Sequence, residues 1–285
     1  MRGSILAAAA AIVALSAAAA FAVSEAEHPR DVVFSFDSPL GAYDMGAVQR
    51  GFAVYNQACS MCHSMDHLAY RHLGEQGGPF ALYNVRDHET GEPEPQIGLQ
   101  AGQHGALIDV TDNPYVRAIA QAASIPDIDP NSGQPIERPG RISDAFRAPF
   151  PNEIAARASN GGAFPPDLSE IVLARHGGAD YIHALLTGYT GESRGERVVQ
   201  YVNPYFPGGL ISMPPPLHAG AVSYNDGTEA SVEQMAQDVT VFLQWAADPH
   251  MERRKALGLQ VLAFLLALSG LMYLAYKQVW RGESH

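Results

Sequence analysis

Residues 58–64 read ACSMCHS, and this stretch holds both cysteines of the 285-residue chain. Two thiols three positions apart, followed at once by a histidine, suit three chemistries: a redox disulfide, part of a zinc site, or covalent attachment of a haem. A Cys-x-x-Cys redox centre belongs at a helix start within alternating strands and helices, and the flanking sequence lacks that pattern. Zinc wants about four ligands, and no further cysteine exists to complete a thiolate-rich set. Covalent haem uses all three residues. Cys59 and Cys62 add to the two vinyl groups across one helical turn, and His63 supplies the proximal imidazole. One motif predicts one haem c.

A haem used only for electron transfer closes its second axial position, often with methionine, whose thioether raises the potential. Eight methionines are available. Met1 lies in the leader, Met272 lies in an apolar C-terminal run, and Met61 and Met65 are tethered beside His63. Met45 precedes the motif by about four helical turns, and Met235 and Met251 sit on or just past a late helix. That leaves Met213, in YFPGGLISMPPPLHAG, with His218 in reserve. Gly208 and Gly209 let the chain bend before it, and Pro214 to Pro216 hold the chain after it extended. His67, His72, His88, His104 and His183 show no spacing that suggests another metal site.

These ligands need elements to carry them. Val48, Phe52 and Tyr55 fall at helical spacing after Asp44, an N-cap residue, so a helix over 44–58 would deliver Cys59. Ser231 and Gln234 form a capping-box pattern ahead of an amphipathic helix that ends near Asp248 and Pro249. A helical pair is expected over 168–175 and 179–187, the first started by Pro165, Pro166 and Asp167. Residues 84–140, rich in Pro, Gly, Asp and Glu, read as a long, solvated, acidic loop insertion. The fold class expected is all-α: a c-type haem domain with long loop insertions and one C-terminal transmembrane helix.

The ends place that domain. Residues 1–22 combine a basic start, an alanine-rich apolar block and an A-x-A ending, which describes a cleaved signal peptide. Residues 256–276 contain no charge, and 21 helical residues span about 31 Å, enough for a bilayer core. Export then puts 23–250 outside the inner membrane as the haem domain and leaves 277–285 as a cytoplasmic tail. Lys and Arg total 18 against 30 Asp and Glu, a net charge of −12. Such a surface attracts basic partners and repels nucleic acid.

Four stretches resemble the cytochrome c1 family, the membrane-anchored haem subunits of the cytochrome bc1 complex. They are RGFAVYNQACSMCHSMDHLAYRHL (50–73), RPGRISDAFRAPFPNEIAARASNGGAFPPDLSEIVLARHGGADYIHALLTGY (138–189), NPYFPGGLISMPPPL (203–217) and DGTEASVEQMAQDVTVFLQWAADPHMERRKALGL (226–259). The resemblance implies haem c on Cys59 and Cys62, with His63 and Met213 as axial ligands. It further implies Arg175 and Tyr181 at the haem propionates, and Asn160, Pro165 and Pro166 along the haem pocket. The implied setting is a quinol:cytochrome c oxidoreductase in the bacterial inner membrane, with the haem domain on the periplasmic side. Cytochrome b, the Rieske iron-sulfur protein, membrane lipid and a soluble or membrane-anchored cytochrome c would be its partners. A stand-alone anchored cytochrome feeding an oxidase or reaction centre is the rival. Some members carry extra cysteines that this chain lacks, and residues 84–137 offer no residue-by-residue match.

Overall fold

A computed structural model describes residues 26–87, 91–99, 103–195 and 199–282. The expected signal peptide at 1–22 lies outside them. The core is built around two crossing helices, α1 (Met45–Val54) and, later in the chain, the helix Val232–Ala247. Asp44 caps α1 by accepting from the Gly46 and Ala47 N–H groups at 2.9 and 3.2 Å. Past Val54 the helix widens into a π-turn over Tyr55–Cys59. Gly51 sets the crossing distance. A Cβ there would lie 2.0 Å from the Asp238 carbonyl oxygen, so only glycine allows the two backbones to meet.

Between the haem motif and residue 140 the chain is not a structureless insertion. β1 (Leu82–Arg86) pairs antiparallel with β2 (Pro93–Ile97) and β3 (Gly105–Leu107), giving the order β2-β1-β3. Then α2 (Pro114–Ala122) follows an Asn113 cap, and β4 (Ser124–Ile128) pairs with β5 (Pro135–Pro139) as a hairpin. A third small sheet joins β6 (Ser193–Arg194), β7 (Gln200–Val202) and β8 (Leu210–Ile211). The all-α expectation is therefore corrected to a helical core with three small sheets on its surface.

The reason is physical. Prolines 93, 95, 126, 135 and 139 sit in edge strands, where the missing N–H is tolerated. The glycines close the hairpins: Gly133, at φ 69°, donates to the Asp129 carbonyl at 2.8 Å. Residues that read as loop formers are in fact the turns and edges of short sheets.

The later helices are α3 (Glu153–Ser159), α4 (Gly178–Thr187), α5 (Val232–Ala247) and α6 (Met251–Val279). Ser231 caps α5 by accepting from the Gln234 N–H at 3.2 Å. The helix expected over 168–175 does not form; this segment is a run of turns that buries Leu168, Ile171 and Val172. Its first amides are drawn to the Ser64 carbonyl and to the Asp167 carboxylate, so the helical ladder is not started. Phe52, Tyr55, Tyr70, Phe146, Phe242 and Trp245 interlock with ring centroids 4.8 to 6.2 Å apart, mixing edge-on, tilted and stacked pairs.

Arg50 on α1 reaches Asp238 on α5 through Nε and Nη2, both at 3.0 Å, and also meets Asp226 at 3.0 Å. α6 is long and apolar enough to cross a membrane, and its apolar run is exposed throughout. Its base is strapped to the domain. Lys255 donates to the carbonyls of Phe36, Ser38 and Gly41 at 2.5, 2.8 and 3.3 Å, and the Tyr43 N–H donates to Glu252 at 2.9 Å.

Candidate haem site

The π-turn ends at the first cysteine. The Ser60 N–H donates to the Tyr55 carbonyl at 2.8 Å, and the Cys62 and His63 N–H groups both donate to the Cys59 carbonyl, at 3.1 and 2.9 Å. One tight turn therefore presents Cys59, Cys62 and His63 together. Both thiols are free. Burial, with Cys62 close by, pushes the Cys59 thiol up to about 12.

His63 is held by the segment that follows α3. Its Nδ1 lies 2.8 Å from the Pro166 carbonyl oxygen. A carbonyl can only accept, so Nδ1 carries the proton and Nε2 keeps its lone pair. Burial pushes the imidazole below its ordinary value, with the Pro166 bond and Asp167 pulling the other way, so the ring is neutral. A neutral, oriented imidazole with a free Nε2 is the donor an iron ligand requires. The Tyr55 hydroxyl donates to the His63 carbonyl at 3.3 Å, fixing the same turn from within the core.

Met213 arrives on a separate segment. The chain turns at Gly208 and Gly209, at φ 83° and 73°, and the Asn203 N–H donates to the Gly209 carbonyl at 3.0 Å. The buried Asn203 amide donates to the Leu185 carbonyl at 2.8 Å, docking this loop on α4. The Met213 carbonyl accepts from the Tyr189 hydroxyl at 3.1 Å, which holds the half-buried methionine just before its three prolines. Burial, and then Tyr181 and Tyr201 nearby, hold Tyr189 protonated well above its usual range.

The remaining expected residues divide. Tyr181 is buried on α4, where burial raises its hydroxyl while the Arg175 guanidinium acts against the rise. Arg175 is itself exposed, and its guanidinium donates to the Ala174 carbonyl at 3.3 Å. Pro165 is half-buried, and Pro166 contributes the carbonyl on His63. Asn160 ends α3 and donates to the Ala156 carbonyl at 2.7 Å, so its amide serves its own helix. Sequence reasoning did not find Tyr189, nor the role of Asp167 described below. Tyr189 carries no motif, and its partner lies 24 residues away.

Residues 34–283 match the model of the Cytochrome C1 family. "Cytochrome c1" of Rhodospirillum rubrum is 36% identical over 276 residues, 90% of this chain and 89% of that one. "Cytochrome c1, heme protein, mitochondrial" of Saccharomyces cerevisiae is 38% identical over 271 residues, 94% of this chain and 77% of the relative. "Cytochrome b/c1" of Bradyrhizobium diazoefficiens is 42% identical over 274 residues, and the chain spans only 35% of its length.

Proposed function

The chain belongs to the cytochrome c1 family, and from that premise we propose that it is the electron-transfer haem subunit of a cytochrome bc1 complex. Cys59 and Cys62 would hold one haem c through thioethers, and His63 and Met213 would ligate its iron. When bound, the haem supplies a one-electron couple. The observation that carries the reading is the 2.8 Å contact between His63 Nδ1 and the Pro166 carbonyl, which leaves Nε2 free directly after a Cys-x-x-Cys pair.

The protein's own residues then do the rest. Pro166 fixes the imidazole tautomer, and Tyr189 holds the Met213 backbone in place. Arg175 and Tyr181 suit the propionates, since a guanidinium pairs with carboxylates in fork geometry. Asn160 and Pro165 line the pocket. His63 and Met213, both held by their backbone surroundings, would suit a centre that passes electrons and binds no substrate at the metal.

Signal-peptide cleavage after residue 22 puts the haem domain on the periplasmic face, with α6 as the single inner-membrane anchor. Cytochrome b and the Rieske protein are its neighbours in the complex, the latter giving the electron. A soluble or anchored cytochrome c receives it, steered by the net charge of −12. Purification in mild detergent with a reduced-minus-oxidised spectrum tests this. A covalent c-type band should co-purify with b-type haem and an iron-sulfur subunit; a lone c-type band would overturn it. Met213→Leu should lower the midpoint potential and open the iron to carbon monoxide, and an unchanged potential would exclude Met213 as ligand.

A further inference from the structure

The segment that carries the Pro166 carbonyl does not hold itself in place. Asp167, the next residue, accepts from the Ser64 hydroxyl at 2.7 Å and from the Asp66 N–H at 2.8 Å, both through Oδ2. Its Oδ1 accepts from the Ser169 N–H at 2.8 Å. Two more bonds close the same seam: the Leu168 N–H donates to the Ser64 carbonyl at 2.9 Å, and the His67 N–H donates to the Ser169 hydroxyl at 3.1 Å. Residues 63–67 and 166–169, about 100 positions apart, are thereby stitched together around one carboxylate.

Resting on the proposed haem reading, we infer that Asp167 is a positioning residue for the proximal ligand: it locks the Pro166 carbonyl against His63 Nδ1 and so sets the direction and donor strength of Nε2. The neighbours of His63 and Pro166 are bound to the same carboxylate, so the imidazole and its acceptor cannot drift apart while that carboxylate is in place. A firm Nδ1–H···O bond makes the imidazole a stronger donor and favours ferric iron. Loosening it favours the ferrous form. Ser169 and Ser64 are partners in the lock, and Ser169 is wholly buried.

Loss of a negative charge near iron would also favour the ferrous form, so the test must separate position from charge. Wild type, Asp167→Asn and Ser64→Ala are purified as the full complex. Covalent haem is assayed under denaturing conditions, the midpoint potential by redox titration, and the ferric g-anisotropy by electron paramagnetic resonance. Asp167→Asn should shift the reduction equilibrium about tenfold toward ferrous haem, or about 59 mV for a one-electron couple. Ser64→Ala keeps the carboxylate, yet should move the potential the same way by a smaller factor and change the g-anisotropy with it.

If Asp167→Asn shifts the potential while Ser64→Ala and the g-values stay as in wild type, charge alone acts and the positioning role is overturned. Silence in both variants overturns it equally. Should Asp167→Asn fail to assemble, Ser64→Ala carries the decision by the same criteria. Absence of covalent haem in the wild type would instead sink the functional reading itself.

Discussion

Removing either partner of the ion pair between Arg50 and Asp238 should cost unequal amounts. The Asp238 side chain is 0% exposed and receives both Arg50 bonds, whereas Arg50 is 20% exposed and has Asp226, 46% exposed, as a second partner. Arg50→Met strands a buried carboxylate that keeps the Gln234 amide at 3.1 Å and the buried Tyr224 hydroxyl nearby but, among the described residues, no cation. Orphaning one member of a buried pair costs about 3–5 kcal/mol. Asp238→Ala leaves Arg50 with Asp226 and water, so the loss should be nearer about 1–3 kcal/mol, the range for a broken charged hydrogen bond.

The gap of about 2 kcal/mol corresponds to roughly 4–8 °C in Tm for a domain of this size. It can be read in the full-length, detergent-solubilised protein from Trp245 emission, because that indole is 1% exposed and must shift on unfolding. A double variant, Arg50→Met with Asp238→Leu, removes both charges and should recover most of the loss, since an apolar pair tolerates the site. Equal losses in the two single variants, a larger loss from Asp238→Ala, or a purely additive double variant would refute the reasoning.

Gly51→Ala should destabilise by about 1–3 kcal/mol despite alanine's better helix propensity, because its methyl meets the Asp238 carbonyl and the helices must part; a raised Tm would contradict this. Asp144 bears on the acid side of the stability profile. The Arg138 guanidinium, followed by the Arg141 N–H, holds its carboxyl below the usual carboxylate range. A depressed folded value stabilises above the unfolded one, near about pH 3.9, and that stabilisation is lost as pH falls through the folded value. Asp144→Asn should therefore flatten the stability-against-pH curve below about pH 4, and an unaltered slope would count against the assignment.

How much of this was visible in the sequence depends on the distance over which each feature is determined. Cys59, Cys62 and His63 are adjacent, and the covalent attachment proposed for them would fix their spacing, so they announce themselves. The caps at Asp44 and Ser231 are equally local and both form. Met213 emerged by elimination, which needs only a count of methionines and the stiffness of three prolines. The sheets in 84–140 were hidden because a proline on an edge strand and a proline in a loop look alike until the partner strand is known. Residues 168–175 have helical spacing, but their first amides go to Ser64 and Asp167, and neither competitor shows in a local pattern. Asp167 itself read as a helix start. Its partner Ser64 is 103 residues away, so its role became visible only when the two segments met.

The π-turn at Tyr55–Cys59 also constrains chain length. A π-turn closes from residue i to i+5, holding one residue more than the α-turn it replaces. Lose or gain one residue elsewhere in the helix with this turn kept, and the cysteines are turned about 100° around the axis and moved about 1.5 Å along it. The thiols and imidazole would then face another direction while every side chain of the motif remained present. Residues 45–59 should thus accept many substitutions on the outer face but no change of length, because the aim of the attachment site is stored in the number of residues and not in their identity.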